Sequence, residues 1–158
     1  MEKISFFIRE NIRLLLGLSV VIFVGILIVT LLLNKDSATK VIVNGETFEV
    51  TIAKTDKEKQ IGLSGKEKIE EDQGMLFIFE NPDYYSFWMK EMKFPIDIIY
   101  ISNDKVTTVI ENAKPPSSDK SLTVYRPGNK SDKVLEVNAG LAKKYNIQTG
   151  TVIKVENL

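Results

Sequence analysis

The chain has 158 residues with 21 basic and 21 acidic side chains, a formal charge of zero, so no global field draws it to nucleic acid or to an acidic partner. It contains neither His nor Cys, which excludes disulfides, thiolate nucleophiles, Cys/His zinc sites, Ser-His-Asp triads and imidazole acid–base chemistry. The length allows one domain plus an accessory segment.

Residues 1–13 read as a short flank carrying Lys3, Arg9 and Arg13. Leu14–Leu33 then runs 20 residues without a charge, with Ser19 and Thr30 as its only hydroxyls. That length spans a hydrocarbon core of roughly 30 Å, and the stretch has no polar stripe of the kind a core helix shows. The expectation is a transmembrane signal anchor. A cleavable signal peptide fits less well, because its apolar region is shorter and a small-residue cleavage site follows it. The basic flank before the span places the C-terminal part outside the cytoplasm. The absence of Cys is compatible with that location but does not require it.

Residues 34–39 form a polar linker, and 40–158 a β-rich domain. Lys40–Val43 and Thr47–Ala53 alternate apolar and polar residues around Asn44-Gly45, a strong hairpin signal. Thr55 and Glu58 have capping-box spacing and predict a short helix over Asp56–Ile61, closed by Gly62-Leu63-Ser64-Gly65. Lys66–Asp72 reads as a charged helical turn or loop. Gly74–Asp97 is the densest stretch, holding the only Trp and four of the eight Phe. Its runs Met75–Phe79 and Tyr84–Met89 flank Asn81-Pro82-Asp83, a turn signal that predicts a hairpin or closely spaced strand pair. Ile98–Ile101 and Val106–Ile110 predict a second hairpin, followed by a loop over Asn112–Ser121. Leu122–Tyr125, Val134–Val137 and Val152–Val155 read as strands. Asn138 stands where an N-cap would precede a helix over Ala139–Tyr145. Seven or eight short strands and two short helices, with no βαβ period, predict a mainly β (α+β) fold, a small β-barrel or curled sheet.

Several motifs in order carry a family resemblance: Gly62-Leu63-Ser64-Gly65-Lys66, Gly74-Met75-Leu76-Phe77-Ile78-Phe79, Phe87-Trp88-Met89-Lys90, Phe94-Pro95-Ile96-Asp97-Ile98 and Leu135-Glu136-Val137-Asn138-Ala139-Gly140. From about Val41 to Val155 the chain resembles Domain of Unknown Function family 192. The resemblance implies a small β-rich domain, often preceded by a signal or anchor segment, and brings no established activity with it. The family's usual pattern after Trp-Met-Lys is Asn-Thr; here Glu91-Met92 stands in its place, so a family site shaped by that pair is altered in this chain. The C-terminal segment also looks like units of cradle-loop barrels, a fold-level analogy only.

Candidate site residues follow from polar groups set in apolar motifs. Lys90, Asp97 and Glu136 either converge on a cleft, with Lys90 engaging a ligand that the carboxylates orient, or form an internal salt bridge or strand ends. If Asp97 and Glu136 share a solvent-reached cleft, they can act as a hydrolytic carboxylate pair. Strand alternation puts Phe87 and Trp88 on opposite faces, leaving one free to line a groove. Trp88, Lys90, Asp97, Glu136 and Asn138 are therefore the expected ligand-binding residues. A Ser86–Lys90 dyad has only composition behind it. The glycines lack P-loop spacing, and no calcium loop is present. No metal and no cofactor is expected.

The functional expectation is a membrane-anchored extracytoplasmic module that binds an envelope ligand, or serves as an accessory to another membrane protein. Its site lies beside Trp88–Asp97 under the Asn112–Ser121 loop. The alternative is an envelope carbohydrate or peptide hydrolase using Asp97 and Glu136.

Overall fold

The computed structural model describes residues 2–33, 38–116 and 123–158, with side chains of the first helix described at 11, 12 and 16–29. It divides into two compact units, Met1–Ser37 and Ala38–Leu158.

The first unit is helix α1, Glu2–Leu33. Its described apolar side chains, from Leu16 to Val29, are exposed. Among the described residues no helix is long and apolar enough to cross a membrane. The side chains described without a break cover only 16–29, roughly 21 Å of helix at 1.5 Å per residue. The transmembrane anchor expected at Leu14–Leu33 is thus given helical conformation but no further support. Most of the linker, 34–37, lies outside the described residues.

In the second unit, β1 (Lys40–Val43) and β2 (Glu46–Ala53) form the expected hairpin. Asn44 and Gly45 both have positive φ, 49° and 88°, the backbone a two-residue turn between twisted strands requires. Helix α2 (Asp56–Ile61) starts at a complete capping box, with the Thr55 side chain accepting from the Glu58 N–H and the Glu58 carboxylate accepting from the Thr55 N–H. It carries the chain over to β3 (Gln73–Asp83), which lies parallel to β2. One βαβ crossover is therefore present, although no βαβ period shows in the sequence. Lys66–Asp72 is irregular.

The hairpin expected at Asn81-Pro82-Asp83 does not form. Strand β3 runs through these residues, with β2 along one edge and β8 (Ser131–Asn138) along the other. The β3–β8 register shifts between Ile78 and Asp83, so Pro82 falls where the ladder is interrupted and its missing N–H leaves no bond unmade. The second apolar run contributes instead to β4 (Phe87–Trp88), which pairs with β7 (Val124–Tyr125) in a separate two-stranded sheet. The second hairpin is present as β5 (Ile96–Ser102) and β6 (Lys105–Ala113). Of the loop expected at Asn112–Ser121, residues 117–121 lie outside the described residues, as does Leu122 of the expected Leu122–Tyr125 strand.

A short helix, α3 (Leu141–Lys144), precedes the last strand, β9 (Ile153–Glu156). The main sheet has seven strands in the order β6-β5-β8-β3-β2-β1-β9. Its outer strands approach one another at an isolated bridge, Lys105 to Val152, backed by the Val106 N–H to Thr151 O bond of 2.9 Å. The sheet is therefore curled, as expected. One apolar cluster lies on its inner face, with Leu76, Ile99, Leu135, Val137 and α3. A second covers the opposite face, with Met75, Phe77, Ile98, Tyr100 and Val134. Because β5 is buried on both faces, it reads as a continuous rather than an alternating apolar run.

Candidate functional site

Strand β8 lies between β3 and β5, and its register fixes which side chains meet. Glu136 stands opposite Met75 on β3 and Ile98 on β5, whereas Asp97 stands opposite Val137. Side chains alternate faces along a strand, so Asp97 and Glu136, though on adjacent strands, point to opposite faces of the sheet. The paired-carboxylate arrangement is excluded by the pleat itself.

Asp97 is fully buried on the inner face. One carboxylate oxygen accepts the Asn112 N–H at 2.8 Å, and the other accepts the Ala142 N–H at 2.8 Å. The second bond satisfies a free donor in the first turn of α3, supplied across the fold rather than from the helix's own flank. The N-cap position of α3 is held by Gly140 in left-handed conformation, φ 89°, and not by Asn138. The Asn138 side chain donates instead to the carbonyls of Ile69 and Glu70, at 3.1 and 3.0 Å. Asp97 and Asn138 thus tie loops to the sheet. Each charge-assisted bond of the Asp97 kind contributes roughly 1.5–3 kcal/mol.

Lys90 is exposed, and its ammonium lies 3.8 Å from the carboxylate of its neighbour Glu91. It does not line the pocket described next. Glu91 has φ 56°, a left-handed conformation that Asn tolerates better than Glu. The departure from the family's Asn-Thr pattern therefore falls on a backbone position that suits Asn. Met92 beside it is buried and forms part of the pocket wall.

Glu136 occupies the opposite face, at a pocket of about 130 Å³. The walls come from the end of α2 and the turn after it (residues 61–64), from Phe77 and Phe79 of β3, from Tyr85, Phe87 and Trp88, and from Met92 and Ile96. Phe87 packs edge-on to Phe77 at 4.9 Å and to Tyr100 at 5.9 Å, while Phe79 stacks on Tyr85 at 3.5 Å. Trp88, on the other side of β4 from Phe87, is 51% exposed, as strand alternation predicts. The turn after α2 is anchored by the Ser64 hydroxyl donating to the Lys90 carbonyl at 2.8 Å and the Gly65 N–H donating to the Glu91 carbonyl at 3.0 Å.

Within this wall the Glu136 residue is 5% exposed. Among the described residues no hydrogen bond or ion pair reaches its carboxyl. Burial alone pushes the group up to about 8, because a charge removed from water without a partner is strongly disfavoured. Tyr100 on the same face is also raised, by burial first and by the neighbouring Glu136 second. The site is thus a neutral carboxylic acid at pH 7, able to donate a hydrogen bond or, once ionised, to hold a cation. Among the described residues no group of acidic side chains is placed to hold a metal ion.

Of the five expected ligand-binding residues, the structure brings Trp88 and Glu136 to one pocket and separates Lys90, Asp97 and Asn138 from it. The α2 turn, Phe77, Phe79, Tyr85 and Met92 were not expected there. The period-two spacing of Met75, Phe77 and Phe79 was the available signal, since it gives β3 an aromatic face on which Glu136 also lies.

The raised pKa of Glu136 makes folding pH-dependent. Between about 4.5 and about 8 the folded chain keeps a proton that the unfolded chain has lost, so stability is highest below that window and falls as pH rises through it. The slope approaches about 1.4 kcal/mol per pH unit for this one group. Glu136→Gln, which cannot ionise, is expected to remove that component when urea unfolding is compared across the window. An unchanged slope would contradict the buried, unpaired state of the group.

A family model, DUF192, described as Uncharacterized ACR, matches residues 39–155. Among solved structures the chain is similar to a protein of unknown function from Novosphingobium aromaticivorans DSM 12444, at 29% identity and a TM-score of 0.66 over 74% of this chain and 83% of that one. It is also similar to a protein from Sinorhizobium meliloti 1021 described as a "putative transcription regulator", at 28% identity and a TM-score of 0.66 over 76% of this chain and 93% of that one. No curated protein matches the chain.

Proposed function

Given that the chain belongs to the uncharacterised family DUF192, we propose that its domain is a small-ligand-binding module whose site is the Glu136 pocket. The observation that carries this reading is a carboxyl, 5% exposed at an aromatic pocket, that has no partner among the described residues. Such a group costs stability in the empty protein, and a ligand that satisfies it recovers that cost. The pocket is close in volume to an engineered cavity of about 150 Å³ that takes benzene, so it suits one ring or one short aliphatic group. A mostly apolar wall with a single convergent polar group is the usual composition of a ligand site. Nucleic acid is a poor fit, since such ligands are met by basic surfaces and this chain has balanced charge. The transcription-regulator description therefore stays with the relative it was given to.

Trp88 is the only Trp in the chain and borders the pocket, so its fluorescence reports on occupancy. Titration with toluene, phenol, n-butanol and n-butylamine is expected to give a saturable change in Trp88 emission and a higher melting temperature for at least one of them. Glu136→Leu, which fills the space without the carboxyl, is expected to lose the response. If no probe saturates, or if the variant responds as the natural chain does, the module has no site here.

The placement of this module rests on sequence. A helix apolar all round needs an apolar surrounding, and the charge-free run Leu14–Leu33 is of bilayer length; we propose a single-pass anchor with residues 40–158 outside the cytoplasm, acting on an envelope ligand or beside another membrane protein. Resistance of the chain to alkaline extraction from membranes, with protease cleavage of 40–158 from the outside face, is the expected result. Release into the soluble fraction would refute the anchor.

A further inference from the structure

We propose, resting on the pocket reading above, that the ligand is an organic ammonium no larger than one amino-acid side chain, paired with the Glu136 carboxylate and lying against the rings of Phe77, Phe79 and Trp88. Four observations lead there. Glu136 is 5% exposed and lines the pocket, and no hydrogen bond or ion pair to its carboxyl is present among the described residues, so a donor-rich cation entering the pocket supplies a partner. The walls are aromatic, and ring faces attract cations, more strongly where water is excluded. An ammonium already uses this wall: Lys59 Nζ lies 4.7 Å from the centroid of the Phe79 ring. Finally, a volume of about 130 Å³ has room for an alkylammonium chain.

The charged and titratable groups around Glu136 leave its carboxyl as the one acidic group at the pocket, with Lys59 as the cation an incoming ammonium must share the wall with. Helix α2 contributes Lys59, engaged at Phe79. The segment between β3 and β4 contributes Tyr85, and β5 contributes Tyr100. Strand β3 places Met75 and Phe77 there, neither of them titratable, and β7 places Tyr125 against the same cluster. Asp97 faces away. No cation in this set pairs with the carboxyl, so an incoming ammonium meets an unpaired acid that becomes its counter-charge on losing a proton.

Pairing requires Glu136 to give its proton to solvent, since the carboxyl is neutral in the empty pocket at pH 7. Affinity for a permanent cation then rises with pH until the carboxyl is already ionised. A neutral acceptor ligand bound to the protonated acid shows the opposite trend.

The experiment is calorimetric titration of the full chain with n-butylammonium and with its neutral counterpart n-butanol, from pH 6 to 9, in buffers of different ionisation enthalpy. Expected are tighter binding of the ammonium, an affinity gain of about tenfold per pH unit up to about 8, and release of close to one proton at pH 7. Glu136→Gln is expected to lose the pH dependence and at least tenfold of the ammonium affinity, while n-butanol still binds. Should that variant fail to fold, proton release by the natural chain decides alone. Butanol binding as tightly as the ammonium, or ammonium affinity that is flat or falling with pH, would overturn the ligand class and leave the pocket reading standing. Binding of neither would overturn the ligand class, and the pocket reading falls with it if toluene and phenol also fail to bind. Blocked N-acetyl-lysine amide distinguishes the source: tighter binding than n-butylammonium assigns a peptide side chain, and equal binding a free amine, both within the proposal.

Discussion

The pleat of strand β8 is the constraint on which the rest depends. With β3 on one side and β5 on the other, every second residue of β8 is committed to one apolar cluster and the remainder to the other. That alternation sends Glu136 toward the aromatic face and, through the Val137–Asp97 register, Asp97 toward the inner one. Two acidic residues on adjacent strands thereby acquire unlike roles. Asp97 is saturated by two backbone N–H groups and holds α3 and the end of β6 in place. Glu136 receives no hydrogen bond from the described residues and is held neutral by burial.

A largely buried acid at an apolar wall is tolerated only where other contacts outweigh its desolvation. Here the surroundings are a β5 buried on both faces, a ring network linking Phe77, Phe87 and Tyr100, and a turn after α2 pinned to the Lys90–Glu91 backbone. These contacts form the wall without filling it. Rigid strands supply the base of the pocket, and short irregular segments supply its rim. This division suits a site whose base fixes chemistry and whose rim admits a ligand.

What the sequence disclosed and what it concealed divide by distance along the chain. Asn44-Gly45 and the Thr55–Glu58 box form their contacts within four residues, so spacing alone identified them. The turn signal at Asn81-Pro82-Asp83 misled because the partners of β3 are β2 and β8, and the proline falls in a gap of the ladder that only the β8 register reveals. Asn138 looked like a helix cap, but the bond to the first turn of α3 comes from the carboxylate of Asp97, 45 residues before Ala142. For the site, Trp88 and Glu136 were legible as polar or amphipathic residues inside apolar motifs. Which carboxyl would be satisfied and which left alone depended on cross-strand register, and no local pattern records that.

The most direct test of the account is a carbon NMR titration of the Glu136 side-chain carboxyl in the folded chain, assigned by comparison with Glu136→Gln. A midpoint near 8 is the expected result. A midpoint in the ordinary carboxylate range near 4.5 would mean that the group is hydrated or paired, and the pocket would lose the feature that makes it a site.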